Sequence, residues 1–235
     1  MTFFGVTPLD LVALAWFLAC WLGYGLHAAW LAQRRPSLVS AVRVFRQRWT
    51  ERMCERENKQ SDATILGNLL RGALFFASTT MFILGGLVAL LGTTPKTIEV
   101  VAKLPFTGPF EVWVWEVKAL ILIGIYVYAF FKFTWSAWQY NVLSILLGAS
   151  PAIDADPSEL MHHGEIATRV AALAGESYNK GIRAYYFSIA PMAWFIHPLL
   201  LIAATTIVTL VIYRREFYSP MLTALVSNST TKKAT

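Results

Sequence analysis

The chain contains few charged residues: they make up 14% of its 235 residues, whereas 56% of the residues are hydrophobic. Soluble domains usually contain about 25% charged residues, so this composition excludes an ordinary soluble protein. The apolar residues also occur in long blocks, and the mean hydropathy is +0.51. The sequence therefore predicts one integral membrane domain with a modest layer outside the membrane.

Cysteine is scarce as well, since the chain has only Cys20 and Cys54. Cys20 lies in an apolar stretch and Cys54 in a basic one, so we expect no disulfide between them. The sequence also lacks a Gly-x-Ser-x-Gly nucleophile motif and a phosphate-binding glycine loop. It therefore predicts no catalytic residue, and we predict neither a bound cofactor nor a metal site.

Adjacent histidines are the best candidates for metal ligands in this sequence. His162 and His163 lie close along the chain to Glu159 and Glu165. Neighbouring side chains on a helix point about 100° apart, and no third ligand follows at a standard spacing. We expect a solvated polar surface here.

The net charge of +6 raises the question of nucleic-acid binding. Most of the excess lies in residues 33–62, where eight Lys or Arg accompany four Asp or Glu. No nucleic-acid recognition motif accompanies this charge, whereas the positive-inside rule and anionic lipids explain a basic segment beside a membrane span. We therefore expect membrane lipids as partners, with anionic headgroups at the inner surface and structural lipids around the helices, and no nucleic acid.

Four apolar stretches are long enough to cross a bilayer core of about 30 Å as helices. The second stretch is the clearest, because residues 73–91 contain no charge. The sequence thus predicts an all-α integral membrane bundle of four transmembrane helices, with an amphipathic helix at the cytoplasmic surface. The predicted spans are 11–32, 72–92, 112–135 and 186–213 in a domain of residues 1–215, the inner loops are 33–71 and 136–185, and residues 216–235 form a flexible C-terminal tail.

The second span contains two features typical of helix packing in membranes. The hydroxyls of Ser78, Thr79 and Thr80 can bond to the carbonyls of their own helix and so tolerate the lipid core. Gly85 and Gly86 offer a small surface on which another helix can approach closely. These five residues predict the centre of helix packing, where Leu in place of either glycine would loosen the bundle.

An amphipathic helix is predicted between the first two spans. Its apolar residues recur at steps of 4, 3, 4 and 4 and fall within an arc of about 80°, as on one face of a helix. They are Leu38, Val42, Phe45, Trp49 and Met53. This face would lie on the inner membrane surface or dock a partner protein.

Proline and glycine predict where the helices of the inner side begin and end. The third helix is able to continue to Leu147, because nothing interrupts it before Gly148. A small helix is predicted to begin at Pro157 and to end at Gly175.

Basic residues also predict the orientation of the bundle. Residues 33–62 and 149–183 contain eight and three Lys or Arg, whereas no outer segment next to a span contains more than two. The more basic loops stay on the cytoplasmic side. This pattern predicts a multi-pass protein of the bacterial inner membrane with both termini in the periplasm.

Three residues are candidates for a polar site within the membrane. His27 and His197 differ in predicted depth by about 13 Å, which disfavours a haem bound by both. His197 precedes Pro198 and is interpreted as a polar group satisfied at a kink, with an intramembrane titratable site as the alternative. Lys118 is expected to extend to the outer interface and meet the outer loop or water.

Two sequence blocks resemble a known family. The first consists of Arg48, Trp49, Met53, Arg56, Asp62 and Ala63, followed by FFASTT at 75–80 and LGGL at 84–87. The second runs from Lys118 through YVYAFFKFTW at 126–135 to QYN at 139–141. Together they resemble the bacterial membrane family called domain-of-unknown-function family 599, over residues 5–215. The resemblance implies an inner-membrane protein of about four spans and no assigned activity.

The sequence favours a non-enzymatic accessory, structural or assembly subunit of a larger membrane complex, with other membrane subunits or a second copy as partners. The helix-packing features and the lack of a catalytic constellation support this hypothesis. One alternative is a small oligomeric transporter or channel with a polar path along Ser78, Thr79, Thr80, Lys118 and His197. A second alternative is a membrane redox or lipid enzyme.

Overall fold

The computed structural model describes residues 7–93 and 111–230. Within these ranges the chain is helical and contains no strand. The helices are α1 Pro8–Ala32, α2 Leu38–Cys54, α3 Gln60–Gly92, α4 Val112–Gly148, α5 Pro157–Trp194, α6 Pro198–Phe217 and α7 Pro220–Thr230. The predicted all-α fold class is confirmed.

Four helical segments are long and apolar enough to cross a membrane, as expected of a multi-pass membrane protein. They are Pro8–Ala32, Gln60–Gly92, Val112–Gly148 and Pro198–Ser227. The first three contain the first three predicted spans. The predicted span 186–213, in contrast, is divided between α5 and α6.

The break between α5 and α6 follows from Pro198. Proline has no backbone N–H and disfavours a helical conformation in the residue before it, so it suits the first position of a new helix. His197 is accordingly extended (φ −158°, ψ 142°) and Pro198 begins α6. Pro191 lies inside α5 and does not end that helix.

Helices α3 and α4 are longer than a bilayer requires. Their 33 and 37 residues correspond to about 50 and 55 Å, against a hydrocarbon core of about 30 Å. The uninterrupted run of α4 to Gly148 agrees with the predicted continuation of the third helix. Each of these helices contributes its two halves to two different compact units of the chain.

Unit 1 consists of Met1–Arg35, Thr80–Tyr128 and Arg183–Ser219. In it α1 and α6 are parallel neighbours, because Trp16 Nε1 donates to Thr206 Oγ1 (3.2 Å) and the rings of His27 and Tyr213 lie 6.5 Å apart. The last turns of α5 run antiparallel to α1: Trp194 bonds to Asp10, and Arg183 lies beside Gly25. The segment predicted as a single span therefore enters unit 1 along α5 and returns along α6.

The parallel packing of α1 and α6 places the start of α1 and the end of α6 at opposite ends of unit 1. The location of both termini in the periplasm, which requires an even number of crossings, stays a prediction. The return of α6 also brings Arg214 and Arg215 to the end of unit 1 at which α1 finishes. That position agrees with the positive-inside rule, since α1 leads directly into the basic segment.

Unit 2 consists of Pro36–Thr79, Ala129–Ile182 and Pro220–Thr235. Its helices enclose a core of small and large apolar side chains. The buried members are Met53, Leu66, Ala73, Ala137, Tyr140, Leu143, Leu147, Ala167, Ala171 and Ala174. This core shows that the predicted inner loops form a packed bundle.

The apolar face of α2 packs largely on protein. Met53 is fully buried in the core of unit 2, and Trp49 packs against that core. Leu38 and Val42 are half-buried, whereas Phe45 is 40% exposed. A helix lying on the lipid surface is therefore the wrong description for the end of α2 that contains Trp49 and Met53.

Helix α5 begins at Pro157, as predicted. The hydroxyl and then the backbone N–H of Ser158 donate to Asp156 at 2.6 and 2.8 Å, and these bonds hold the pKa of that carboxyl below its ordinary value. The predicted helix end at Gly175 is wrong, because α5 continues through it to Trp194.

Two glycines of α5 allow close approach of side chains in unit 2. A Cβ at Gly175 would meet the guanidinium of Arg46, and a Cβ at Gly181 would lie 2.7 Å from the ring of Phe133. A methyl group at either position would therefore require the neighbouring side chain to move. Glycine is therefore present at these positions to admit a neighbour rather than to end the helix.

More of the C-terminal region is helical than the sequence predicts. Residues 216–235 were expected to form a flexible tail, but α6 extends to Phe217 and α7 occupies Pro220–Thr230. Residues 231–235 lie outside the described part of the chain. Helix α7 packs against α2 within unit 2.

The parallel packing of α1 and α6 predicts the outcome of labelling experiments. In a chain with Cys20→Ser and Cys54→Ser, a Tyr218→Cys variant at the end of α6 should react with an impermeant maleimide from the same side as Arg34→Cys, since both positions are exposed at the same end of unit 1. A Pro8→Cys variant at the exposed start of α1 should react from the opposite side. Labelling of Tyr218→Cys together with Pro8→Cys in intact cells would contradict the parallel arrangement of α1 and α6.

Candidate functional site

A buried charged pair joins two helices of unit 1. Lys118 of α4 is 5% exposed and Asp10 of α1 is 6% exposed. Lys118 Nζ lies 3.7 Å from Asp10 Oδ1 and donates a hydrogen bond to the carbonyl of Trp194 (3.1 Å). Charged side chains in membrane helices are rare and usually mark a functional or structural centre.

The local sequence fixes the position of Asp10. It is the third residue of α1 and forms a capping box with Thr7, whose backbone N–H and hydroxyl donate to Oδ2 at 3.1 and 2.6 Å. Trp194 Nε1 donates to Oδ1 at 2.8 Å. A carboxylate is favoured at this end of a helix, because the helix dipole is positive there.

Lys118 is bound by the C-terminal end of α5, whereas Asp10 lies at the N-terminal end of α1. It bonds to the carbonyl of Trp194, the last residue of α5, where the helix dipole is negative. Its ammonium also lies 5.0 Å from the centre of the Trp194 ring, within range of a cation–π interaction. Asp10, Lys118 and Trp194 thus tie the ends of α1 and α5 to α4.

Lys118 was expected to meet the outer loop or water, and the structure instead encloses it. Sequence reasoning missed Asp10, because the residue precedes the predicted span 11–32. The pattern Thr7-Pro8-x-Asp10 is a recognisable helix start and was the available signal. No local pattern, however, indicates that Lys118 is its partner.

A second polar cluster in unit 1 consists of hydroxyl groups. The hydroxyls of Thr80 and Tyr185 lie 2.7 Å apart, and Ser188 donates to Tyr126 at 2.9 Å or to the carbonyl of Tyr185 at 2.8 Å. The rings of Tyr126 and Tyr185 meet edge to face at 5.4 Å. These contacts connect α3, α4 and α5 through buried polar groups.

The residues predicted as the centre of helix packing differ in burial. Thr80 is fully buried in the hydroxyl cluster, and Thr79 donates to the carbonyl of Phe75 (2.8 Å) in its own helix. Ser78, Gly85 and Gly86 are exposed. Among the described residues, no atom of a neighbouring helix lies within 4 Å of a Cβ built on Gly85 or Gly86, so the described part of the chain leaves the glycine surface open.

The two candidate intramembrane histidines lie at opposite ends of the α1–α6 pair. His197 caps α6, and its Nδ1 accepts the backbone N–H of Leu199 (3.1 Å). His27 is exposed near the other end, beside Trp30 and Tyr213. About 22 Å of helix separates residue 198 from Tyr213, so His27 and His197 do not reach a common ligand.

The histidines of the inner segment do not converge either. His163 bonds to the carbonyl of Leu146 (2.9 Å) in unit 2, and His162 is exposed. Within residues 7–93 and 111–230, no three His, Cys, Asp or Glu side chains form a group suited to a metal ion.

Unit 2 has its own buried carboxylate, at the turn between α2 and α3. Asp62 is fully buried and accepts hydrogen bonds from Trp49 Nε1 (2.7 Å) and from Arg56. These contacts bring the end of α2 back onto the start of α3. We interpret Asp62 as a residue that fixes this turn.

A family model described as "Protein of unknown function, DUF599" matches residues 12–221 of the chain. The match runs from the fifth residue of α1 to the start of α7 and includes both clusters of unit 1 apart from Thr7 and Asp10. The chain belongs to the DUF599 family. No curated protein and no solved structure is significantly similar to this DUF599 protein.

Removal of Lys118 tests the charged pair. Lys118→Met would leave the carboxylate of Asp10 buried without its cation, and we expect the free energy of unfolding to fall by about 3–5 kcal/mol. Thermal unfolding in mild detergent, followed by circular dichroism, provides the measurement.

Lys180→Met is a matched control for this change. Lys180 is 39% exposed and pairs with Glu176 on the surface of α5. Such exposed pairs contribute only about 0–1 kcal/mol. Equal stability of the Lys118→Met and Lys180→Met variants would show that the buried pair does not hold unit 1 together.

Proposed function

We propose that this DUF599 protein is a non-enzymatic subunit of a larger complex in the bacterial inner membrane. In this proposal, a membrane helix of another subunit packs on the surface of α3 around Gly85 and Gly86. The observation that carries the proposal is that these glycines are exposed and that no neighbouring residue in ranges 7–93 and 111–230 lies within 4 Å of a Cβ built on either.

The surroundings of the glycines suit a helix contact. Phe82 is 82% exposed, Val88 is 60% exposed and Ala89 is also exposed, so large apolar side chains lie on either side of a shallow backbone surface. Small residues allow two helix backbones to approach closely in a membrane, where van der Waals packing drives association.

The two polar clusters of unit 1 support a structural role for its interior. The charges of Asp10 and Lys118 are satisfied by each other, by Thr7 and by Trp194. A buried charged pair whose members already have protein partners is suited to holding helices rather than to transforming a substrate.

The glycine surface is tested with Gly85→Leu and Gly86→Leu. Because open space surrounds both positions, we expect the fold to keep its thermal stability within about 0.5 kcal/mol. The same variants should lose a partner that co-purifies stoichiometrically with the wild type in mild detergent, measured by mass spectrometry.

Gly124→Leu is the matched control, since Gly124 is an exposed glycine of α4 with open space where its side chain would be. This variant should retain the partner. Recovery of the wild type only as a monomer or a homo-oligomer would overturn the proposal, as would equal partner loss in all three variants.

A small transporter or channel is the second candidate, and the hydroxyl cluster favours it. Thr80, Ser188 and Tyr126 are nearly fully buried, and together with Tyr185 they form a run of polar groups among apolar helices. Polar residues inside a membrane bundle often mark the path of a substrate or an ion.

Proteoliposomes loaded with a pH-sensitive dye test a proton path through this cluster. If the path exists, the wild type should dissipate an imposed pH gradient, and Ser188→Ala should slow the flux at least fivefold. A gradient that decays at the rate of protein-free vesicles would exclude a proton path.

A further inference from the structure

The hydroxyl of Tyr24 is buried in unit 1 without a protein partner. Tyr24 lies on α1, is 6% exposed, and has no hydrogen bond to its hydroxyl within the described residues. An unsatisfied buried hydroxyl destabilises a fold by about 1–3 kcal/mol, so native proteins rarely retain one without a reason. A bound polar group at this position would remove that penalty.

The charged groups around this hydroxyl are predominantly basic. Arg183 of α5 and Arg215 of α6 act electrostatically on Tyr24, together with the carboxylate of Glu216 and the phenol of Tyr213. Two guanidinium groups and one carboxylate leave a net charge of +1 beside the hydroxyl. An anion is therefore the favoured ligand.

Arg183 is positioned by a glycine on the neighbouring helix. Its Nη1 lies 4.0 Å from the point that a Cβ on Gly25 would occupy, so the guanidinium rests against the backbone of α1. No carboxylate of the described residues lies within ion-pair distance of Arg183. An arginine between apolar helices normally has such a partner, and its absence here leaves the guanidinium available.

Arg215 is oriented by an aromatic side chain. Its Nη1 donates to the hydroxyl of Tyr186 (2.8 Å), and its guanidinium lies 5.3 Å from the centre of that ring. These contacts use part of its five donors and fix the direction of the others. Arg183 thus lies beside Gly25, the residue after Tyr24, and Arg215 acts electrostatically on Tyr24 from α6.

The level of this cluster in the membrane indicates the source of the anion. It lies near the end of α1 that carries Trp30, whose ring is covered by the guanidinium of Arg34 at 4.0 Å. Tryptophan and arginine in this arrangement are typical of the headgroup level. Basic pockets between membrane helices on the cytoplasmic side bind the phosphates of anionic lipids.

We propose that Arg183, Arg215 and the Tyr24 hydroxyl bind the phosphate group of an anionic phospholipid, such as phosphatidylglycerol, between α1, α5 and α6. The two guanidinium groups neutralise the phosphate and the phenol donates its hydrogen bond to a phosphate oxygen. This site is independent of the glycine surface of α3 and of the proposed subunit role.

Native mass spectrometry of the purified full chain tests the site with phosphatidylglycerol and phosphatidylcholine as probes. The wild type should bind phosphatidylglycerol at least tenfold more tightly. Arg183→Gln should lower this preference about fivefold, as expected for one arginine near a lipid phosphate, whereas Arg183→Lys should retain most of it.

Arg169→Gln is the matched control, because the side chain of Arg169 is 81% exposed and pairs only on the surface with Glu165. It should leave the preference for phosphatidylglycerol unchanged. Melting curves in neutral detergent show whether each variant is folded, and Tyr24→Phe provides a second variant that keeps the aromatic ring.

Three results would overturn the proposal. The first is equal affinity of the wild type for the two lipids, and the second is a preference that survives in both Arg183→Gln and Tyr24→Phe. The third is displacement of phosphatidylglycerol by millimolar inorganic phosphate with the same dependence on Arg183, which would assign the site to free phosphate.

Discussion

A cation buried among apolar helices must find both its counter-charge and its hydrogen bonds within the protein. In this DUF599 protein that requirement brings together the start of α1, the part of α4 around Lys118 and the end of α5, because Lys118 pairs with Asp10 and donates to the last carbonyl of α5. The chain breaks at His197, shortly after this contact, because Pro198 begins a new helix, and α6 then returns beside α1. The contact therefore holds the end of α5 in place immediately before the chain reverses direction in unit 1.

Glycine serves two different purposes in the molecule. In unit 2, Gly175 and Gly181 lie so close to the side chains of Arg46 and Phe133 that a larger residue would require them to move, and α5 stays helical through both glycines. In unit 1, no described residue of a neighbouring helix lies where a side chain on Gly85 or Gly86 would be. The first pair explains internal packing, whereas the second pair has no such role among the described residues. This contrast directs attention to α3 as the surface on which another helix would pack.

The sequence predicts the helical class, three of the four apolar segments and the start of α5, because these features depend on local composition, on proline and on capping residues. It does not predict the partner of Lys118, since two residues far apart in the chain meet only after folding. Pro198 was interpreted as a kink in one span, because sequence alone does not distinguish a bend from a reversal of direction. The sequence likewise shows the apolar face of α2 that ends at Met53. It does not show the core of unit 2 on which this face packs. The clusters around Thr80 and Tyr24 depend on contacts between helices and were missed for the same reason.

We expect Asp10 and Lys118 to depend on each other in holding the helix ends together. The most direct measurement is the coupling free energy between them, obtained from the unfolding of the wild type, Asp10→Asn, Lys118→Met and the double variant in one detergent. We expect the double variant to be more stable than the sum of the single changes predicts, with a coupling of about 1–3 kcal/mol. Strictly additive changes in the free energy of unfolding would show that Asp10 and Lys118 stabilise the fold independently of each other.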